Sequence, residues 1–286
     1  MKRSHTVLIY CVIYSIALYC LMNVSSVNEF DGKSRVGYIS KVSPNTLLED
    51  FQECYRSKLP FFTGPLDNFW MNYTYFAKNC DYATSVKHLD IRAVSNTDET
   101  KYIIYPKYNE TLTMLTLGVG KDIDGEIELR RLYPNIDFYG ADPVPENKPI
   151  YEKIGTFFPV AIGKNGGFRS SRVLKESYRE EIALNKIDIM WVDTEGSEFG
   201  MMEMLHLGEE VDKKGIVICQ INVEYHLNIM QGITNEKITF RKFITRIVED
   251  GKYIIVRPYT VPIVNYIRLV LINVSDAECK RLYITG

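Results

Sequence analysis

From Thr111 onward the chain alternates between strand-like and helix-like segments, and this alternation restricts the fold more than any other feature. "TLTMLTLG" reads as a strand and "GKDIDGEIELRRLY" as a helix that Pro134 stops. "NIDFYGAD" is a second strand and, after a short helical stretch, "TFFPVAIG" a third. "RVLKESYREEIALNK" sets Leu174, Tyr178 and Ile182 four apart on one helical face. "IDIMWV" and "GIVICQINVEY" are the fourth and fifth strands. "NEKITFRKFITRIVEDG" then aligns Phe240, Phe243, Ile244, Ile247 and Val248, with Asn235 as N-cap and Gly251 as stop. Strands apolar on both faces and separated by helices imply a parallel sheet covered by helices.

The end of the chain adds a second constraint. "YIIVRPY" and "YIRLVLINV" are both strand-like and only about six residues apart, whereas a parallel pair needs a crossover of about a dozen or more. They must form an antiparallel hairpin. A mainly parallel seven-stranded α/β sheet closed by such a C-terminal hairpin resembles the Rossmann-like fold of class I methyltransferases. A nicotinamide-binding domain would close with another parallel strand.

In an open parallel sheet, ligands bind outside the carboxyl ends of the strands, and here those ends are chemically biased. The first strand is followed by Gly118 and Gly120, the second by Asp142, and the third by Ala161, Ile162 and Gly163. The fourth ends in Asp193 and Glu195, and the fifth supplies Glu224 and His226. Gly118 and Gly120 suit a turn that brings backbone close to a nucleotide, but Ile123 stands where a dinucleotide fingerprint needs its third glycine. Asp142, twenty-two residues past Gly120, suits a carboxylate bridging ribose hydroxyls. Asp193 and Glu195 have three readings: caps for the following helix, ligands for a divalent cation, or groups that orient or deprotonate a nucleophile. Glu224 and His226 project from a common face of the fifth strand.

These residues also carry a family resemblance. "IDIMWVDTEGSEFGMMEML" resembles the acidic-Glu-Gly motif of FkbM-type methyltransferases, matching at Asp193, Glu195, Gly196 and Glu198. "FYGADP" and "FFPVAIG" resemble the second- and third-strand elements of that family, and the likeness covers about residues 106–286. It is nearest to an animal, secretory-pathway branch. The resemblance implies S-adenosylmethionine as cofactor, held around Gly118, Gly120, Asp142, Ala161 and Asp193, and methyl transfer to a hydroxyl, often on a sugar. Asp193, Glu195, Glu224 and His226 are then the catalytic candidates. Two positions depart from the pattern. Thr116 stands where the family carries an acid two residues before the first glycine, and Trp191 where it carries a base. Asp122 or Asp124 is expected to supply the missing carboxylate.

Residues 1–26 read as a signal anchor or a signal peptide. Lys2, Arg3 and His5 precede sixteen uncharged residues from Val7 to Met22, which as a helix would span roughly 24 Å. The charge asymmetry favours a cytoplasmic N-terminus and lumenal delivery of the remainder. A retained segment makes a type II Golgi or endoplasmic reticulum membrane protein; cleavage makes a secreted one. Residues 27–105 form a mixed helical extension, with a helix near "PLDNFWMNYTYFAKN" and no defensible motif. Cys54 and Cys80 flank that helix and suit a disulfide, while Cys219 reads as a buried thiol. Sequons at Asn23, Asn72, Asn109 and Asn273 agree with lumenal exposure. The net charge of −2 and the absence of a basic run give no reason to expect nucleic acid. The partner expected is a small-molecule or glycan acceptor. Two other functions stay open: a lumenal glycosyltransferase using "IMWVDTE" to hold a cation and sugar nucleotide, and a non-catalytic binding protein on a methyltransferase scaffold.

Overall fold

A computed structural model describes residues 43–62, 64–96, 99–160, 184–227, 233–261 and 266–285. The apolar segment at 7–22, the sequon at Asn23, the proposed helix around Leu174 and Tyr178, and Ala161 to Gly163 lie outside the described residues. Among the described helices none is long and apolar enough to cross a membrane.

Helices α1 (Pro44–Phe62) and α2 (Leu66–Ala83) precede a two-stranded antiparallel unit, β1 (Ile91–Ser95) and β2 (Thr100–Ile104). The main sheet follows: β3 (Leu112–Leu117), α3 (Asp124–Leu132), β4 (Ile136–Ala141), α4 (Lys148–Tyr151), β5 (Gly155–Phe158) and β6 (Lys186–Val192). It continues through α5 (Glu198–Met202), α6 (Glu210–Lys213), β7 (Val217–Tyr225), α7 (Ile233–Asp250), β8 (Tyr253–Val261), β9 (Tyr266–Asn273) and α8 (Ala277–Lys280). The seven strands run in the order β5-β4-β3-β6-β7-β9-β8. β9 is antiparallel to both neighbours, so β8 points the same way as the parallel strands and β9 alone is reversed. This is the mainly parallel, hairpin-closed sheet expected of a class I methyltransferase.

Alternation along β7 separates the two faces. Tyr225 packs edge-on against Phe240 of α7 at 4.8 Å between ring centroids, and Phe240 also meets Trp70 and Tyr73 of α2. On the other face Gln220 substitutes for a strand neighbour: its amide accepts from the Ile104 N–H at 2.9 Å and donates to the Ile104 carbonyl at 3.0 Å. Asn222 donates to the Tyr102 carbonyl in the same way. The β1–β2 unit is thereby fastened over the face that carries Glu224 and His226.

Several local expectations are revised. Cys54 and Cys80 are bonded as expected, but Cys219 is no free thiol; it pairs with Cys279. The turn after β9 returns the chain across β7, with Asp276 capping α8 through the Glu278 and Cys279 amides. Helix α7 already contains Ile233 and Thr234, so Asn235 lies in its first turn and is not its cap. Gly251 does end it, at φ +65°. The third strand stops at Phe158, before Pro159, which has no N–H for the ladder.

Candidate active site

Leu117 is in register with Ala141 on one side and Val192 on the other. The residues after this row, Gly118, Asp142 and Asp193, therefore leave the sheet side by side. Gly118 sits at φ +86°, and a Cβ there would lie 1.7 Å from the Asp193 carbonyl oxygen, so only glycine lets the two loops cross. Gly120 is under no such demand: the nearest atom to its Cβ would be 3.8 Å away.

Beyond this crossing opens a cavity of about 560 Å³, within the range of sites that hold cofactor-sized ligands. Gly118, Gly120, Asp193, Glu195, Glu224 and His226 line it together. Asp142 stands at the adjoining strand end but outside the cavity wall; its Oδ1 accepts from the Val144 N–H at 2.7 Å and from Asn147 Nδ2. Asn147 also donates to the Val119 carbonyl, which ties the glycine turn to Asp142. Burial raises the Asp142 pKa despite these donors.

His226 is the centre of the polar cluster. It is 5% exposed, and its ring packs edge-on against Tyr266 at 4.3 Å. Nδ1 lies 3.0 Å from Glu198 Oε1, while Nε2 faces Asp193 at 3.4 Å, Glu224 at 3.5 Å and Glu195 at 3.9 Å. Burial opposes a charge on the imidazole, but the Glu198 hydrogen bond and the surrounding carboxylates outweigh it and raise the His226 pKa. Burial likewise raises the Asp193 pKa, against the attraction of Lys101 and His226.

Asp193 and Glu195 do not cap α5. Ser197 is the N-cap residue of that helix, and its side chain makes no cap hydrogen bond. Glu198 instead reaches back to accept from the Thr194 N–H at 2.8 Å and the Gly196 N–H at 2.7 Å. It holds the loop in a shape that puts Glu195 at φ +54° with its side chain in solvent.

Four further groups escaped sequence reasoning. Glu99 and Lys101 come from the β1–β2 unit and are paired with each other. Arg268 of β9 bridges Glu224 and Glu99, the latter at 3.0 Å. Glu126 of α3 is buried, lines the cavity and accepts from Thr116 Oγ1 at 3.0 Å. The carboxylate near Thr116 is thus Glu126. Asp122 lines the cavity but also accepts from the Asp124 N–H at the start of the helix. Only an acid in the first turn of the helix hinted at Glu126; nothing local hinted at the other three.

The cavity wall carries six carboxylates against Lys101, Lys121 and Arg268, an imbalance that favours a cationic ligand. A metal is one candidate: ligand atoms of Asp193, Glu195 and His226, and those of Glu99, Asp193 and Glu224, lie within 4.8 Å of one another. A sulfonium-bearing nucleoside is another. The residues fit it through the glycine turn, the Asp142 carboxylate and a buried indole N–H on Trp191 that has no hydrogen-bond partner among the described residues.

Comparison with known proteins distinguishes methyl transfer from sugar transfer. Residues 63–255, about two thirds of the chain, match the model of the methyltransferase FkbM domain. No curated protein matches. Among solved structures, similarity extends to Aeropyrum pernix fibrillarin with bound S-adenosyl-L-methionine (12% identity over 57% of this chain and 67% of that one, TM-score 0.38). It extends also to a putative rRNA-methylase from Clostridium thermocellum (14%, 59% and 89%, TM-score 0.40). A third is M. capricolum TrmK with S-adenosyl-homocysteine (18%, 58% and 63%, TM-score 0.34). Similarities this slight say nothing of this chain's chemistry. The domain match does: the chain belongs to the FkbM methyltransferase family.

Proposed function

We propose that this methyltransferase carries a methyl group from S-adenosylmethionine to a hydroxyl, on a glycan or a small molecule, in the secretory pathway. Bound S-adenosylmethionine supplies a sulfonium methyl that is already a strong electrophile. The chain's task is to align an oxygen with it and remove that oxygen's proton. The observation that carries the reading is His226, fixed through Nδ1 by Glu198 and presenting Nε2 to the cavity. With Nδ1–H donated to Glu198, Nε2 is the basic atom. An imidazolium formed there would lie 3.4–3.9 Å from the Asp193, Glu224 and Glu195 carboxylates, which stabilise it as it forms. Asp193, beside Gly118, orients the hydroxyl. Gly118, Gly120 and Asp142 hold the nucleoside.

The Cys54–Cys80 and Cys219–Cys279 disulfides support an oxidising compartment. Asn72 and Asn109 have exposed side chains and are open to glycosylation, whereas Asn273 is buried and caps a turn through the Ser275 and Asp276 amides. A divalent cation on Asp193, Glu195 and His226 is a second reading, favoured by the convergence of their ligand atoms; it would occupy Nε2, so that the imidazole could not take the proton, and would instead lower the pKa of a hydroxyl bound to it. Thermal shift tests the donor. S-adenosylhomocysteine should raise the melting temperature with EDTA present, and UDP with Mn²⁺ should not; the opposite pattern would refute the reading.

A further inference from the structure

Thr116 and Trp191 are register partners on adjacent parallel strands, so their side chains leave the same face of the sheet. The start of α3 lies over them. A Cβ on Gly125 would come within 3.3 Å of the Trp191 ring, and the next residue, Glu126, takes the Thr116 hydroxyl hydrogen bond. Glu126 is 6% exposed and Trp191 2%, and both line the cavity. The Trp191 indole N–H has no hydrogen-bond partner among the described residues. Lys101 holds its ammonium 5.4 Å from the Trp191 ring centroid. One wall of the cavity therefore combines a buried carboxylate with a buried, unused donor and a cation.

We infer that Glu126, Trp191 and Lys101 form a subsite for a zwitterionic α-amino-acid group, that of the methyl donor: Glu126 receives the ammonium, and the Trp191 N–H with Lys101 receives the carboxylate. The inference rests on the donor reading given above. An anion alone would find Glu126 repulsive, and an amine alone would leave the indole N–H unpaired. A group carrying both charges satisfies every member. Burial by itself raises the Glu126 pKa, and an arriving ammonium would restore its charge. Thr116 then orients Glu126, which explains a hydroxyl where the family pattern has an acid.

Calorimetric titration of the full chain with S-adenosylhomocysteine and with 5′-methylthioadenosine tests this, since the second ligand keeps the nucleoside thioether and lacks the amino-acid group. The native chain should bind the first at least about tenfold more tightly. Glu126→Gln and Trp191→Phe should each lose most of that preference and keep their affinity for methylthioadenosine within about twofold. Trp191→Phe preserves the packing, so it stands if Glu126→Gln fails to fold. The inference is overturned if the native chain shows no preference, if both variants retain it, or if they lose both ligands equally. Binding of neither ligand by the native chain would refute the donor reading, and this inference with it.

Discussion

Glu198 Oε1 lies 3.0 Å from His226 Nδ1, and the same carboxylate holds the Thr194 and Gly196 amides of the loop that carries Asp193 and Glu195. One side chain thus fixes both the imidazole tautomer and the path of the acidic loop. If His226 is the base, it must be neutral to act. Its pKa is raised, so it stays protonated to higher pH than an ordinary histidine. Methyl transfer should therefore climb with pH through a midpoint above about 6.5. Glu198→Gln should lower that midpoint, because it removes a charge favouring imidazolium, and reduce kcat by about 10–100-fold. A midpoint unmoved in Glu198→Gln would contradict the pairing.

The crossing of Gly118 over Asp193 gives a contrast between two glycines in one turn. Gly118→Ala forces a Cβ onto a backbone oxygen at a left-handed φ, and should cost more than about 3 kcal/mol or displace the Asp193 loop. Gly120→Ala would meet only an ordinary van der Waals contact, with the Asp122 backbone nitrogen at 3.8 Å, and should cost no more than about 1 kcal/mol. Melting curves of the two variants measure the difference.

Asp81 predicts a pH dependence of stability remote from the site. Its carboxyl accepts from the Arg257 N–H at 2.7 Å, at the bulge of β8 where Arg257 adopts φ +50°, and Oδ1 finds no partner among the described residues. Burial pushes its pKa up to about 7, against the pull of Arg257 and Lys78. The folded state then holds a proton that the unfolded state releases near the ordinary carboxylate value, so this contribution is complete below about pH 4 and lost as pH rises through about 7. Asp81→Asn keeps an acceptor for Arg257 and should be the more stable protein at pH 8, by the order of 2–4 kcal/mol. Denaturant curves should show the gap nearly closed at about pH 4, partly open at about pH 5 and widest at about pH 8.

Chelation separates the two accounts of proton removal. With His226 as base, EDTA-treated protein should retain its rate within about twofold, because Arg268 and Lys101 already offset Glu224 and Glu99. A rate lost to EDTA and restored by Mn²⁺ would assign Asp193, Glu195 and His226 to a cation.

The strands, the closing hairpin and the acids at the strand ends were legible because their signals are local: apolar runs, the short link that forces β8 and β9 into a hairpin, and acids immediately after strands. The common face of Glu224 and His226 followed from strand alternation alone. Glu99, Lys101 and Arg268 were not legible, since they reach the cavity through pairing between segments more than a hundred residues apart. Cys219 was misread for the same reason, its partner lying 60 residues away. Glu198 stood out in the sequence only as a position of the family motif; its role as the brace of the preceding loop depends on φ values that sequence does not announce.

The most direct test is mass spectrometry of methyl transfer from deuterated S-adenosylmethionine to a panel of glycans and small hydroxylated molecules, using the native chain and His226→Gln. The account predicts a labelled methyl on a hydroxyl oxygen with the native chain and a loss of about 10²–10⁴-fold in the variant. A folded His226→Gln protein that methylates as fast as the native one would contradict it, as would transfer to nitrogen or carbon with hydroxyls left untouched.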